Sequence, residues 1–188
     1  MRYIQILFVV ETNDLVKSDD LYYSWIMRSY YSDYISNQGF EDVCIKYDFV
    51  HMDGKTNYDK RGVKSDINLK TQMFTDGKTY VVYCFDYDKN SAQNAAFINE
   101  VAAYCEDNDY YLAVCYREIE DVLKIPSGKS KAERVRLFAK KPHKKGFINK
   151  RFLMVELSNI AHDYGRSNVC LIIDKIITVV KSCKRGTK

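Results

Sequence analysis

The chain contains 188 residues, of which 46% are hydrophobic and 29% are charged, and its formal net charge at pH 7 is +4. This length suffices for one substantial core, and no linker rich in Pro, Gly or Ser divides the chain. The first apolar run, residues 4–10, is too short to span a membrane and is followed by acidic residues. We therefore expect a soluble, cytoplasmic protein with no membrane segment.

The six cysteines are scattered, with no CxxC pair and no cluster of Cys and His. Most of them lie inside apolar runs, where a thiol behaves as a small hydrophobic side chain. We expect reduced core cysteines rather than a zinc site. The three histidines, His51, His143 and His162, are equally dispersed, and we expect them to be structural or solvated.

Apolar runs alternate with amphipathic stretches along the first two-thirds of the chain. Strands are predicted at residues 3–10, 42–52, 80–88 and 110–116. A first helix is predicted to begin at Ser18-Asp19-Asp20, which is typical of an N-cap, and to end at Gly39. Further helices are predicted at residues 65–75 and 92–107. Residues 117–125 are predicted to form a turn or a short helix. Two helices are expected near residues 150–164 and 168–182, although a strand remains an alternative for the second.

This alternation is typical of a parallel sheet with right-handed crossovers. The predicted fold is therefore α/β, with a mostly parallel sheet of about four strands flanked by helices. We expect residues 1–125 to form this core. Residues 126–188 are expected to form a basic loop and a helical extension packed on the same domain.

Acidic residues follow three of the predicted strands. Glu11 ends the first strand, Asp86 and Asp88 end the third, and Glu120 follows the fourth. The carboxyl ends of parallel strands meet at one edge of a sheet, where α/β proteins bind ligands. Carboxylates that converge there repel one another unless a divalent cation is bound, and oxygen donors suit Mg²⁺ or Mn²⁺ better than zinc. The alternative is that each acid simply marks the point where the chain returns to water.

These motifs resemble a known fold. ILFVVE followed by YCFDYD resembles the Toprim domains of topoisomerases, DnaG-type primases and OLD-type nucleases. The stretches VVETNDLVKSDDLYYSWI, VVYCFDYDKN and YLAVCYREIEDVL resemble Toprim-like proteins of bacterial antiphage defence, including the RloB-like group, over about residues 3–125.

The resemblance implies roles for particular residues. In those families the Glu and the two Asp bind Mg²⁺ and act in phosphodiester cleavage or transfer, which implies catalytic and metal-binding roles for Glu11, Asp86 and Asp88. A third acid follows the fourth strand and corresponds to Glu120, with Glu118 as the second choice. Toprim proteins usually place Gly directly after the first Glu, whereas this chain has Thr12.

Positive charge is concentrated in residues 124–151, which we call the basic segment. It contains eleven Lys and Arg and one acid, a local excess of +10 that leaves −6 on the rest of the chain. Such a segment is expected to bind the phosphates of DNA or RNA, although a solvated loop is the alternative. The residues expected to contact nucleic acid are Lys129, Lys131, Arg134, Arg136, Lys140, Lys141, Lys144 and Lys145.

The leading hypothesis is a Mg²⁺-dependent Toprim-like nuclease in a prokaryotic antiphage defence system. A second hypothesis is a noncatalytic sensor or binding subunit that keeps the Toprim shape and works with a partner ATPase. A third, weaker one takes DxD as the metal motif of a glycosyltransferase. The sequence leaves open whether the chain forms a homo-oligomer and whether Glu11 is a ligand or a general base.

Overall fold

The computed structural model of the chain describes residues 1–13, 15, 17–35, 42–87, 92–125, 130, 133–134, 137–138, 148–160 and 165–183. Four strands form one sheet in which every neighbouring pair is parallel, in the order β2-β1-β3-β4. They are β1 (Arg2–Val10), β2 (Val43–His51), β3 (Gly77–Tyr87) and β4 (Tyr111–Tyr116). The predicted α/β fold with a parallel sheet of about four strands is confirmed.

Helices lie on both sides of this sheet, which explains why its inner strands are apolar on both faces. In the described part of the chain the α-helices are α1 (Ser18–Tyr30), α2 (Ser32–Ile35), α3 (Arg61–Met73), α4 (Ala92–Asp107), α5 (Ile119–Val122), α6 (Leu157–Ile160) and α7 (Val169–Ser182). No helix in the described ranges is both long enough and apolar enough to cross a membrane.

The two faces of the sheet have separate cores. Helices α1 and α7 pack on one face, which we call the α1 face, and α3 and α4 pack on the other, the α4 face. Successive residues of a strand point to opposite faces, so Cys84 packs on the α1 face while Phe85 and Tyr87 pack on the α4 face. Asp86 consequently lies on the α1 face, one residue before Tyr87.

The connections reverse direction between β1 and β3. From β1 the chain passes through α1, on the α1 face, to β2 at one end of the strand order. From β3 it passes through α4, on the α4 face, to β4 at the other end of the strand order. This reversal opens a crevice at the carboxyl ends of β1 and β3, which is the usual ligand position in such sheets.

The outer edge of β4 is covered by residues 165–168. The Tyr116 N–H donates to the Arg166 carbonyl at 2.8 Å, and Ser167 forms an isolated antiparallel bridge with Cys115. The Asn168 side chain accepts a hydrogen bond from the Val114 N–H at 2.7 Å and donates one to the Leu112 carbonyl at 2.9 Å. Asn168 thus supplies the bonds that a further strand would otherwise make.

Gly77, at the start of β3, is set by a close approach of two strands. A Cβ atom at this position would lie 1.7 Å from the carbonyl oxygen of Tyr3 in β1. Only glycine fits there, because any side chain would push the two strands apart.

The predicted helix at residues 150–164 is wrong in its first half. Residues Lys150–Leu153 form a 3₁₀ turn, and residues 154–156, which have no regular secondary structure, precede α6. The Val155 N–H donates to the Ser167 carbonyl and the Ser167 N–H to the Phe152 carbonyl, so pairing with the segment that covers β4 replaces helical bonds. Residues 161–164 lie outside the described ranges.

The last described element, α7, is the predicted helix and not the alternative strand. Its buried residues recur every three or four positions, as expected for one face of a helix against a core: Val169, Cys170, Ile172, Ile173, Ile176, Ile177 and Val180. Other boundaries also differ from expectation: α3 begins four residues before position 65, and the N-cap of α1 is Lys17 rather than Ser18. The single helix predicted from Ser18 to Gly39 is wrong, because α1 ends at Tyr30 and the short α2 follows Tyr31. Residues 36–41 lie outside the described ranges.

Candidate functional site

Glu11 and Asp86 lie side by side at the carboxyl ends of β1 and β3. The Asp86 backbone N–H donates a 2.9 Å hydrogen bond to Oε1 of Glu11, and Oδ1 of Asp86 accepts a 3.1 Å bond from the Ile119 N–H. Both carboxylates are half-buried. The contacts join the ends of two strands to the start of α5, so two predicted site residues are brought together in the crevice.

The turn after β2 supports Glu11 from the other side. The Met52 N–H donates to the Val10 carbonyl and the Gly54 N–H to the Glu11 carbonyl, both at 2.9 Å. Gly54 has a φ of 114°, a conformation that is accessible to glycine but strained for other residues. The main chain at Glu11 is therefore held by hydrogen bonds, in the way that a preorganised site requires.

Glu120 lies in α5, and its carboxylate points into the protein. It is 2% exposed, and its Oε1 has no hydrogen-bond partner among the described residues. The hydroxyl of Tyr22 in α1 is likewise buried without a hydrogen-bond partner in those residues. Burial raises the pKa of Tyr22 well above its ordinary value, and the nearby negative charge of Glu120 raises it further. A side-chain hydrogen-bond interaction with Glu120 also raises the pKa of Tyr22, although its geometry is poorer than that of an ordinary hydrogen bond.

Arg134 is the one residue of the predicted nucleic-acid contacts that lies in the described ranges. Its Nη1 atom is 3.7 Å from Oε2 of Glu118, and its charge lowers the pKa of Tyr22 in opposition to Glu120. Nearby Phe138 is 4% exposed and packs edge-on against Tyr22, with ring centroids 5.1 Å apart. This part of the basic segment lies against α1 and the acidic residues.

The other predicted site residues lie outside the described residues. They are Asp88 and, in the basic segment, Lys129, Lys131, Arg136, Lys140, Lys141, Lys144 and Lys145.

Asp19 was missed as a site residue by the sequence interpretation. It is 8% exposed in the first turn of α1, where its Oδ2 accepts a 3.4 Å hydrogen bond from the Thr12 N–H. Burial raises the pKa of Cys115, and the charges of Asp86 and Asp19 raise it further, so both carboxylates act on the same interior region. The Ser18-Asp19-Asp20 run is the sequence signal for this position, but such a run is equally typical of a helix N-cap.

His51, expected to be structural or solvated, lies within hydrogen-bond distance of the neighbouring acid of that run. Its Nε2 is 2.8 Å from Oδ1 of Asp20, and both side chains are partly buried. The pair joins the end of β2 to the first turn of α1.

The donor set is suited to a hard divalent cation. Glu11 and Asp86 lie at neighbouring strand ends, and Glu120, in α5, has a buried carboxylate oxygen without a hydrogen bond of ordinary geometry among the described residues. Across the described ranges, however, no three His, Cys, Asp or Glu side chains are grouped closely enough to hold a metal. In donor chemistry alone, the carboxylate oxygens of these residues fit Mg²⁺ or Mn²⁺, and Glu11 and Asp86 are the two that lie at neighbouring strand ends.

No family model, no curated protein and no solved structure matches this chain. A functional assignment therefore rests on the residues themselves.

Proposed function

We propose that the chain is a Mg²⁺-dependent, Toprim-like nuclease that cleaves phosphodiester bonds in DNA or RNA, acting in the cytoplasm as part of prokaryotic antiphage defence. The observation that supports this proposal best is the 2.9 Å contact between the Asp86 N–H and the Glu11 carboxylate. It joins two of the three acids of the Toprim-like motifs, Glu11 and Asp86, at the crevice where such sheets bind ligands.

Each acid has a separate part in the proposed site. Glu11 and Asp86, with Asp88, would hold the cation, and Glu120 would complete the set. A divalent cation bound there supplies Lewis-acid stabilisation of the phosphate and lowers the pKa of a bound water. The hydrogen bonds from the Asp86 and Ile119 N–H groups fix the Glu11 and Asp86 carboxylates before substrate arrives. The basic segment would attract the nucleic-acid backbone to this edge of the domain.

The decisive test combines metal binding with cleavage in Glu11→Gln and Asp86→Asn. Both variants keep an oxygen that accepts the observed backbone hydrogen bond, so the fold should persist while the charge is lost. We expect Mn²⁺ affinity measured by calorimetry to fall, and metal-dependent cleavage to fall about a hundredfold or more. Asp76→Asn is the matched control, because Asp76 directly precedes the amino end of β3, away from the carboxyl ends of the strands. Wild-type cleavage by both site variants would overturn the assignment.

The noncatalytic subunit that works with a partner ATPase is the second candidate. It is favoured by the inward position of Glu120 beside Tyr22, which directs one of the proposed ligands into the protein interior. Metal binding that depends on Glu11 and Asp86, without turnover of any DNA or RNA, would select this candidate over the nuclease.

A further inference from the structure

A cavity lies on the α4 face of the sheet, and its lining includes Tyr87, the residue that follows Asp86. It has a volume of about 350 Å³ and lies between α4, α6 and the carboxyl halves of β3 and β4. One wall is the ring of Tyr87, and the described aliphatic residues that line it are Ala95, Ile98, Val114 and Leu157. Asn99 and Ser158, both exposed, add an amide and a hydroxyl group to the lining.

The cavity is joined to the acidic pair through β3. Tyr87 directly follows Asp86, and because successive strand residues point to opposite faces, Asp86 faces α1 while Tyr87 faces α4. The Tyr87 ring is stacked on that of Tyr116 in β4, with centroids 5.7 Å apart and planes inclined by 19°. A rigid strand end therefore carries a carboxylate on one side and the aromatic wall of a cavity on the other.

The lining indicates which chemical group the cavity would take. None of its described lining residues is charged, so the cavity suits a neutral group rather than a phosphate. Apolar walls with a few polar groups are typical of sites for small flat ligands. The Asn99 amide has both a donor and an acceptor, as the edge of a nucleobase does.

We propose that this cavity is a nucleobase pocket, which receives one unpaired base of the nucleic acid whose backbone lies at Glu11 and Asp86. The inference rests on the proposed function and adds a substrate class to it: strands with at least one unstacked base. Enzymes that act on nucleic acids commonly hold such a base by apolar contacts and by hydrogen bonds to its edge.

The test uses nucleotide binding, which does not require turnover. The four ribonucleoside 5′-monophosphates are titrated into protein with labelled methyl groups, and the signals of Ile98, Val114 and Leu157 are followed by NMR. Ribose 5-phosphate, which lacks a base, is the ligand control. Ala95→Trp should fill the cavity, and Ala96→Trp, on the exposed side of the same helix turn, is the matched control. Asn99→Leu removes the amide from an exposed position and so tests the pocket independently if Ala95→Trp perturbs the fold.

We expect base-dependent shifts at these methyl groups in the wild type and in Ala96→Trp, and affinity at least about tenfold weaker in Ala95→Trp and Asn99→Leu. Absence of shifts with all four nucleotides would overturn the pocket. Nucleotide affinities of Ala95→Trp and Asn99→Leu that both equal that of the wild type would overturn it as well. Cleavage that requires Glu11 and Asp86 but is unchanged in Ala95→Trp also counts against the pocket and leaves the nuclease standing. Base-dependent shifts in a protein that cleaves nothing would support the pocket and count against the nuclease.

Discussion

The hydroxyl of Tyr31 donates a 2.7 Å hydrogen bond to the carboxylate of Asp174, and this bond joins the residue after α1 to the middle of α7. Tyr31 is 1% exposed, and the Lys150 ammonium group lies 3.0 Å from the same carboxylate. Hydrogen bonds to charged groups contribute more to stability than neutral ones. We expect Tyr31→Phe to lower the free energy of unfolding by about 1.5–3 kcal/mol, measured by urea denaturation.

Tyr22→Phe provides a matched comparison, because Tyr22 is also fully buried against the α1 face but its hydroxyl makes no hydrogen bond of ordinary geometry in the described part of the chain. Removing an unsatisfied buried hydroxyl relieves a desolvation cost. The free energy of unfolding should therefore be unchanged, or higher by up to about 1 kcal/mol. A loss equal to that of Tyr31→Phe would mean that Tyr22 donates to Glu120 in solution.

Asn168 should be sensitive to a nearly isosteric change. In Asn168→Asp the side chain still accepts from Val114, but it loses the donor to Leu112 and places a negative charge beside that carbonyl. We expect a loss of about 3 kcal/mol in the free energy of unfolding at neutral pH. The difference from wild type should shrink in acid, where a protonated carboxyl group can donate again.

Asn108→Asp is the control for that substitution. Asn108 makes a similar 2.8 Å bond, from its amide to the Tyr104 carbonyl, but at an exposed position. Water can replace that bond, so its loss should cost less than about 1 kcal/mol. Equal losses at the two positions would refute the idea that Asn168 substitutes for a missing strand.

These contacts show which parts of the structure could be predicted from the sequence. The strands were predictable because burial on both faces selects continuous apolar runs, and Glu11 and Asp86 were placed because parallel strands end at one edge. The bonds of Asn168 to Leu112 and Val114 join positions more than fifty residues apart in the chain, and no local pattern specifies them.

The interior of the candidate site was less predictable for the same reason. Asp19 looked like an ordinary acid in the first turn of a helix, which the helix dipole favours wherever the helix lies. Its burial depends on how α1 packs over the strand ends. Arg134 lies 3.7 Å from Glu118 and Phe138 packs against Tyr22 of α1, whereas composition alone indicated a basic segment that binds nucleic acid or, as the alternative, a solvated loop.

The pH dependence of stability should be dominated by buried thiols and phenols on the alkaline side. Burial raises the pKa of Cys105 in α4 from its ordinary value of 9.0 to about 12. Between these two pKa values the folded state keeps the proton that the unfolded chain loses. The contribution of the protonated Cys105 thiol to the free energy of unfolding is therefore fully present below about pH 9 and is lost as the pH rises from 9 to 12.

The measurement is the slope of the free energy of unfolding against pH in this range. In Cys105→Ala and Cys105→Ser the downward slope should be shallower than in wild type by up to about 1.4 kcal/mol per pH unit. The two variants should share this slope although their stabilities at neutral pH differ. A slope equal to that of wild type in both would show that the Cys105 thiol ionises equally in the folded and unfolded chains.

The basic segment should control how nucleic-acid affinity depends on salt. Each Lys that neutralises a phosphate releases a counterion, and for single strands this contributes about 0.7 to the slope of log affinity against log salt concentration. Substituting Lys140, Lys141, Lys144 and Lys145 together by Ala should therefore reduce the slope by up to about 3. Fluorescence anisotropy of a labelled oligonucleotide in EDTA measures binding without cleavage.

The matched control substitutes four exposed lysines elsewhere in the chain: Lys46, Lys60, Lys64 and Lys78. Both quadruple variants lose the same formal charge, so a general change in the electrostatic field would lower the slope equally in each. A smaller slope only in the first variant would place the phosphate contacts in the basic segment. An unchanged slope in that variant would instead identify the segment as a solvated surface that binds no phosphate.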